Sequence, residues 1–247
     1  MSEVALKCDG LSKAYHLGET LSLSHTLQVM NPFRRAQPKD EFMALDDVTF
    51  SVSKGSFFGI VGSNGSGKST LTQVISGITV PSSGQAEVHG RVLPLLEVGA
   101  GFSEELTGRE NVYLLGAILG VDSSQVAESV SEIVEFAGVE AHFDSPLKRY
   151  SSGMKARLAF ASAIFFPADI YVFDEVLAVV DDDFREECIE QMKRLNAQGA
   201  TIIFMSHDLD LVEEVCDEGL WLEKGVVRQV GSMADVAARY KGSLEAA

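Results

Sequence analysis

The chain has 247 residues, 46% hydrophobic and 23% charged, which supplies a packed core and excludes disorder as the main state. Twenty Lys and Arg stand against 36 Asp and Glu, a formal net charge of −16, and this argues against a non-specific nucleic-acid binder, which needs a basic face. Cys8, Cys188 and Cys216 are odd in number and scattered, so they read as reduced thiols of a cytosolic protein and not as a disulfide frame or zinc site.

The opening MSEVALKCDG carries acids and no long apolar run, so no signal peptide is expected. No segment repeats at a fixed period. Between Tyr15 and Ala44, Leu23, Leu27 and Met30 fall at i, i+4 and i+7, the stripe of a short helix that Pro32 ends near Asn31. Arg34 and Arg35 follow. This stretch reads equally as a loop packed on a sheet edge or as an amphipathic element at a membrane face.

Phe57 to Val61 (FFGIV) is a continuous apolar run, the mark of a fully buried strand, and Ser69 to Gly77 predicts a helix closed by glycine. Pro81 to Val98 predicts short antiparallel strands at an edge. Leu106 to Leu158 lacks strand signals and predicts helices at Asn111–Leu119 and Ser124–Ala137, so a helical lobe of about residues 100–158 is expected as an insertion. Ile170–Phe173 and Thr201–Met205 predict two more buried strands with a helix, Asp183–Asn196, between them. The best membrane-span candidate, Leu158 to Phe173, is cut by Pro167 and Asp169 and is too short for a bilayer. Residues 232–247 predict a short helix and a frayed end. Strands and helices alternating in this way indicate an α/β fold with a mainly parallel sheet.

The chemistry concentrates in three places. Gly62, Ser63, Asn64, Gly65, Ser66, Gly67, Lys68, Ser69 and Thr70 read GSNGSGKST and satisfy G-x-x-x-x-G-K-[ST] between a predicted strand and a predicted helix. Glycines let backbone N–H groups turn around an anion, Lys68 reaches the β- and γ-phosphates, and the Ser69 hydroxyl ligates Mg²⁺. Asp174 and Glu175 end the strand Ile170–Phe173, which places one carboxylate by the metal and the other where it polarises a water. Tyr150 to Arg157 (YSSGMKAR) offers a serine and a small residue at a helix start, a second anion site.

Together these motifs resemble the ATP-binding subunits of ABC transporters, over nearly the whole chain from Val4 to about Gly231. That family implies a P-loop core of mainly parallel sheet with an antiparallel edge subdomain and a helical lobe. Its signature L-S-G-G-Q is matched by Ser151 and Gly153, while Tyr150, Ser152 and Met154 depart from it. The resemblance implies roles for further residues: His207 as the switch histidine at the γ-phosphate, Asp181 in the loop that speaks across a dimer, and Tyr15 stacking on adenine, with Phe42 as its rival. Where the family has a glutamine touching Mg²⁺, this chain has Glu97, which alters the local charge. The segments LLEVGAGFSEELTGREN, YSSGM and DEVLAVVD look like the branch exporting O-antigen, capsule or teichoic acid. A C-terminal sugar-binding domain, present in some relatives, is not expected after Gly231. The resemblance therefore implies a head-to-tail homodimer with two ATP and two Mg²⁺, docked under separate membrane permease subunits at the cytoplasmic face of the inner membrane, with lipid-linked polysaccharide as indirect partner and no nucleic acid. The rival reading is a soluble ABC-type ATPase serving DNA repair or translation.

Overall fold

A computed structural model describes residues 3–16, 41–95, 99, 101–175, 177, 180–206 and 208–245. The predicted helix around Leu23, Leu27 and Met30, together with Pro32, Arg34 and Arg35, lies outside these residues, as do Glu97 and His207.

The described chain runs β1 (Val4–His16), β2 (Glu41–Ser53), β3 (Phe57–Val61), α1 (Lys68–Ile75), β4 (Ser83–Val88), β5 (Val92–Leu95), α2 (Gly108–Ile118), α3 (Ser123–Ala137), α4 (Ser152–Phe165), β6 (Ile170–Asp174), α5 (Asp182–Ala197), β7 (Thr201–Met205), α6 (Leu209–Val215), β8 (Glu218–Glu223), β9 (Val226–Ser232) and α7 (Met233–Glu245). The strands form two sheets, one of order β5-β6-β7-β3-β8-β9 and one of order β2-β1-β4. Strands β5, β6, β7, β3 and β8 are parallel neighbours, and β9 closes the edge antiparallel.

The apolar runs explain this placement. A parallel strand with both faces covered has no polar side to show, and β3 and β7 are buried at every position. Alternate residues serve two different cores. Phe57, Val61, Tyr171, Phe173, Ile202 and Phe204 pack with α2, α3, α4 and α5 on one face. Phe58, Ile60, Ile170, Val172, Ile203 and Met205 face α1 and the three-stranded sheet on the other. Phe160 of α4 stacks on Phe173 at 5.8 Å and meets Phe184 of α5 edge-on at 6.0 Å, which seats both helices against β6.

One strand assignment differs from expectation. Val92–Leu95 joins the parallel sheet beside β6, with Leu93 and Leu95 buried, and only β4 pairs antiparallel, with β1. Pro94 has no N–H to donate, so this strand occupies an outer position.

The helical segment begins at a capping box: the Thr107 hydroxyl accepts from Glu110 N, and the Glu110 carboxylate accepts from Thr107 N. One turn later the fully buried Asn111 holds the incoming loop. Its Oδ1 accepts from Ser103 N at 2.7 Å, and its Nδ2 donates to the carbonyls of Ser103, Leu106 and Thr107. Replacing Asn111 by Leu strips Ser103 N of its acceptor and removes a buried side-chain donor to three carbonyls, which keep the backbone N–H groups of Leu106, Leu147 and residue 111, at a cost of about 3 kcal/mol. We expect the melting temperature to fall by about 6–12 °C for a chain of this size. A melting temperature within about 2 °C of the parent protein would show that this loop does not depend on Asn111.

Candidate functional site: a phosphate cradle beside paired carboxylates

The turn from β3 into α1 is packed too closely for side chains. A Cβ on Gly62 would sit 2.2 Å from the Leu222 carbonyl oxygen of β8, and one on Gly67, at φ 106°, would sit 2.6 Å from that of Ala44 in β2. Glycine is the residue that fits there. The β8–β9 turn braces the loop from outside: Gly225 N donates to Ser66 O at 2.8 Å, and Gly225 O accepts from Asp46 N at 2.9 Å. Inside the loop, Ser66 N donates to Ser63 O at 3.1 Å, and Lys68 Nζ donates to the carbonyls of Gly62 and Ser63 at 2.7 and 3.2 Å.

Three features make this turn a site for a polyanion. Helix α1 starts at Gly67 with no side-chain cap and no acid in its first turn, so its leading N–H groups and dipole face the cleft. Ser66 Oγ is buried and has no hydrogen-bond partner. Lys68 is buried, and loss of water lowers its pKa, opposed by the charges of Glu175 and Asp174.

The cleft, about 450 Å³, is lined by Asn64 to Thr70, by Phe42 and Ala44, and by Asp174 and Glu175. Strand β6 ends at Asp174, which lines the cleft together with Ser69. Burial raises the Asp174 pKa; the Ser69 hydroxyl and the Lys68 charge oppose that, and the neighbouring Glu175 charge adds to it. A hydroxyl and a carboxylate side by side, facing a place for phosphate oxygens, are the hard oxygen donors that Mg²⁺ takes. Ser69 and Asp174 thus fit the ion.

Glu175 has a left-handed backbone, φ 53°, rare for a residue with a Cβ. Its N–H donates to Met205 O at 3.0 Å, one step beyond the β6–β7 ladder. Such strain persists where surroundings enforce it and concentrates at reacting groups. Here it turns an exposed carboxylate into the cleft beside Asp174.

The two candidate aromatics differ in position. Tyr15 and Phe42 are opposite each other across the β1–β2 ladder, and Phe42, 52% exposed, lines the cleft. Tyr15 is not among the lining residues; its ring lies under Lys13 Nζ at 5.1 Å and its hydroxyl is 3.5 Å from Gln73 Oε1.

The helix start read as a second anion site is separate. Ser151 is the N-cap of α4, its Oγ accepting from Met154 N at 3.1 Å, and neither Ser151, Ser152 nor Gly153 lines the cleft. A Cβ on Gly153 would meet only Ser151 Oγ, at 3.9 Å, so nothing within the described chain crowds that position. Asp181 also stays outside the cleft. It caps α5, accepting from Phe184 N, and takes a double hydrogen bond from Arg157 of α4. Sequence reasoning missed Arg157, because only folding brings α4 to the start of α5.

Comparison with known proteins agrees with this geometry. A family model described as ABC transporter matches residues 45–178. The O-antigen export system ATP-binding protein RfbB of Klebsiella pneumoniae is 36% identical over 98% of this chain and 99% of its own length. The teichoic acids export ATP-binding protein TagH of Bacillus cereus is 39% identical over 86% of this chain, which covers 39% of that relative's length. Among solved structures, a dimeric ATP-binding cassette in a post-hydrolysis state with ADP and Pi superposes with a TM-score of 0.74 at 20% identity, covering 92% of this chain and 98% of that one. The phosphate cradle, the paired carboxylates and the matched span lead to one assignment: the chain belongs to the ABC transporter family, as an ATP-binding subunit.

Proposed function

We propose that this chain hydrolyses ATP to drive export of a lipid-linked cell-surface polysaccharide, O-antigen in the first place, as a homodimer under separate membrane-spanning subunits. It acts as one nucleotide-binding domain at the cytoplasmic face of the inner membrane. The observation that carries hydrolysis is Glu175 held left-handed in the cleft beside Asp174. The O-antigen branch rests on the Klebsiella relative, matched along almost the full length of both chains. Among the described residues no helix is long and apolar enough to cross a membrane, which suits a subunit that leaves the conduit to partners.

The mechanism follows from the residues. Backbone N–H groups of the Gly62–Lys68 turn and the start of α1 bind the phosphates, and Lys68 moves from the Gly62 and Ser63 carbonyls to phosphate oxygens. Mg²⁺, held by Ser69 and Asp174, would neutralise charge on the β- and γ-oxygens. Glu175 orients a water and accepts its proton while the water oxygen bonds to the γ-phosphorus and the bond to ADP breaks. Phe42 offers its exposed ring to the base. Ser151 supplies the remaining anion site to the other chain: its oxygen is engaged by Met154 N, which leaves its O–H proton to donate outward.

Glu175→Gln keeps the shape and removes the base. It should retain ATP binding, slow turnover by about two orders of magnitude or more, and accumulate an ATP-bound dimer on a sizing column. Hydrolysis near the parent rate would remove Glu175 from this role. A Ser151→Arg chain should bind nucleotide through its own Lys68 and fail to dimerise on ATP, and mixing it with a Lys68→Ala chain should restore at most one working site per dimer. Recovery of two sites, or full dimerisation of Ser151→Arg alone, would contradict the shared site. In cells, Lys68→Ala should abolish surface polysaccharide while its lipid-linked precursor accumulates inside; unchanged surface polymer would refute the export assignment.

A further inference from the structure

Glu175 is held on one side by the Met205 carbonyl, and Met205 is the last residue of β7. Ser206 and Asp208, further along the chain, are fixed by side-chain hydrogen bonds. Asp208 N donates to Ser206 Oγ at 3.1 Å, and Asp208 Oδ1 accepts from Leu211 N as the N-cap of α6. Its other oxygen, Oδ2, accepts from Arg185 Nη2 at 2.5 Å. Arg185 sits in the first turn of α5, with its N–H on Asp181 O. Leu177, which lies between Glu175 and α5 in the chain, is 4% exposed in the core.

These links form one path: the ion pair of Arg185 with Asp208, the Asp208 N–H on Ser206 Oγ, the peptide link from Ser206 to Met205, and the Met205 carbonyl on the Glu175 N–H. Its ion pair is half-buried, with side chains 31% and 38% exposed. A charge-assisted pair of this kind is stronger and better aimed than a surface pair. A non-glycine residue at φ 53° is strained and persists where its surroundings enforce it. Asp181, at the start of α5, is tied in turn to α4 by Arg157, whose guanidinium lies 4.6 Å from the Phe184 ring centre.

We infer that Arg185 is a positioning residue for ATP hydrolysis: its ion pair with Asp208 steadies, through Ser206, the Met205 carbonyl that holds Glu175 left-handed at the cleft. Arg185 touches no lining residue's role directly and acts through Asp208 and Met205. The inference rests on the reading of this cleft as an ATPase site.

Arg185→Gln removes the charge, and Asp208→Asn removes its partner while retaining a side chain that caps α6. Each should lower kcat about ten-fold with KM for ATP within about two-fold of the parent, and the double variant should be no worse than either single one. Melting temperatures should stay within about 4 °C of the parent. Independently of hydrolysis, hydrogen exchange at the Glu175 amide should speed up about ten-fold in Arg185→Gln, while the Ile203 amide in the middle of β7 keeps its protection. Parent-like kcat in Arg185→Gln, strictly multiplicative losses in the double variant, or falls in kcat that track falls in melting temperature and ATP binding would overturn the inference. So would an unchanged Glu175 exchange rate. A parent protein without ATPase activity would instead refute the function proposed above, and the exchange comparison would still decide whether Arg185 steadies Glu175.

Discussion

The structure depends on one constraint, the lack of room around the turn between β3 and α1. Carbonyl oxygens of β2 and β8 approach from two sides, at 2.6 and 2.2 Å from where Gly67 and Gly62 would carry a Cβ. The antiparallel sheet and the β8–β9 hairpin thereby act as walls of the phosphate cradle and contribute backbone groups to it. The same crowding buries Lys68 among loop carbonyls and strips it of water, which lowers its pKa and makes incoming phosphate oxygens its best partners. Everything beyond the cradle exists to bring carboxylates to it. The parallel strands deliver Asp174, and the left-handed step after it delivers Glu175.

A second theme is separation. Of the helix starts at Gly67 and Ser151, both read in the sequence as places for anions, the first opens onto the cleft and the second does not. Gly153 has no crowding within the described chain to account for it. A site finished by a second copy explains both facts, and C2 pairing would supply each cleft with the other chain's Ser151. Arg157, joining α4 to Asp181, and Arg185, joining α5 to Asp208, then connect the Ser151 end of a chain to its own Glu175.

How much of this the sequence disclosed follows from the range of each interaction. The cradle was legible because its glycines, lysine and hydroxyls are contiguous and obey fixed spacing. The strands β3, β6 and β7 were legible because burial on both faces leaves an unbroken apolar run. Strands β1 and β2 were not recognised. Their ladder shifts register between Cys8 and Leu11 and again near Lys13, so the apolar residues of β1 lose the period of two. The hairpin β8–β9 was missed since its turn uses Lys224 and Gly225, both with positive φ, where Asn-Gly would have given the usual signal. Strand β5 was placed in the wrong sheet, because pairing with β6 depends on residues far along the chain. That Phe42 and not Tyr15 lines the cleft depends on which ring the folded ladder turns toward it. No pattern in sequence pairs Arg185 with Asp208.

The central claim is that one chain holds a complete phosphate cradle but an incomplete catalytic site. The direct test is the ATPase rate per molecule of purified protein, measured over a wide range of protein concentration at saturating ATP–Mg²⁺. The account predicts a rate per molecule that rises with concentration and levels off as dimers form. A rate per molecule that is constant down to concentrations where the protein is monomeric would contradict it.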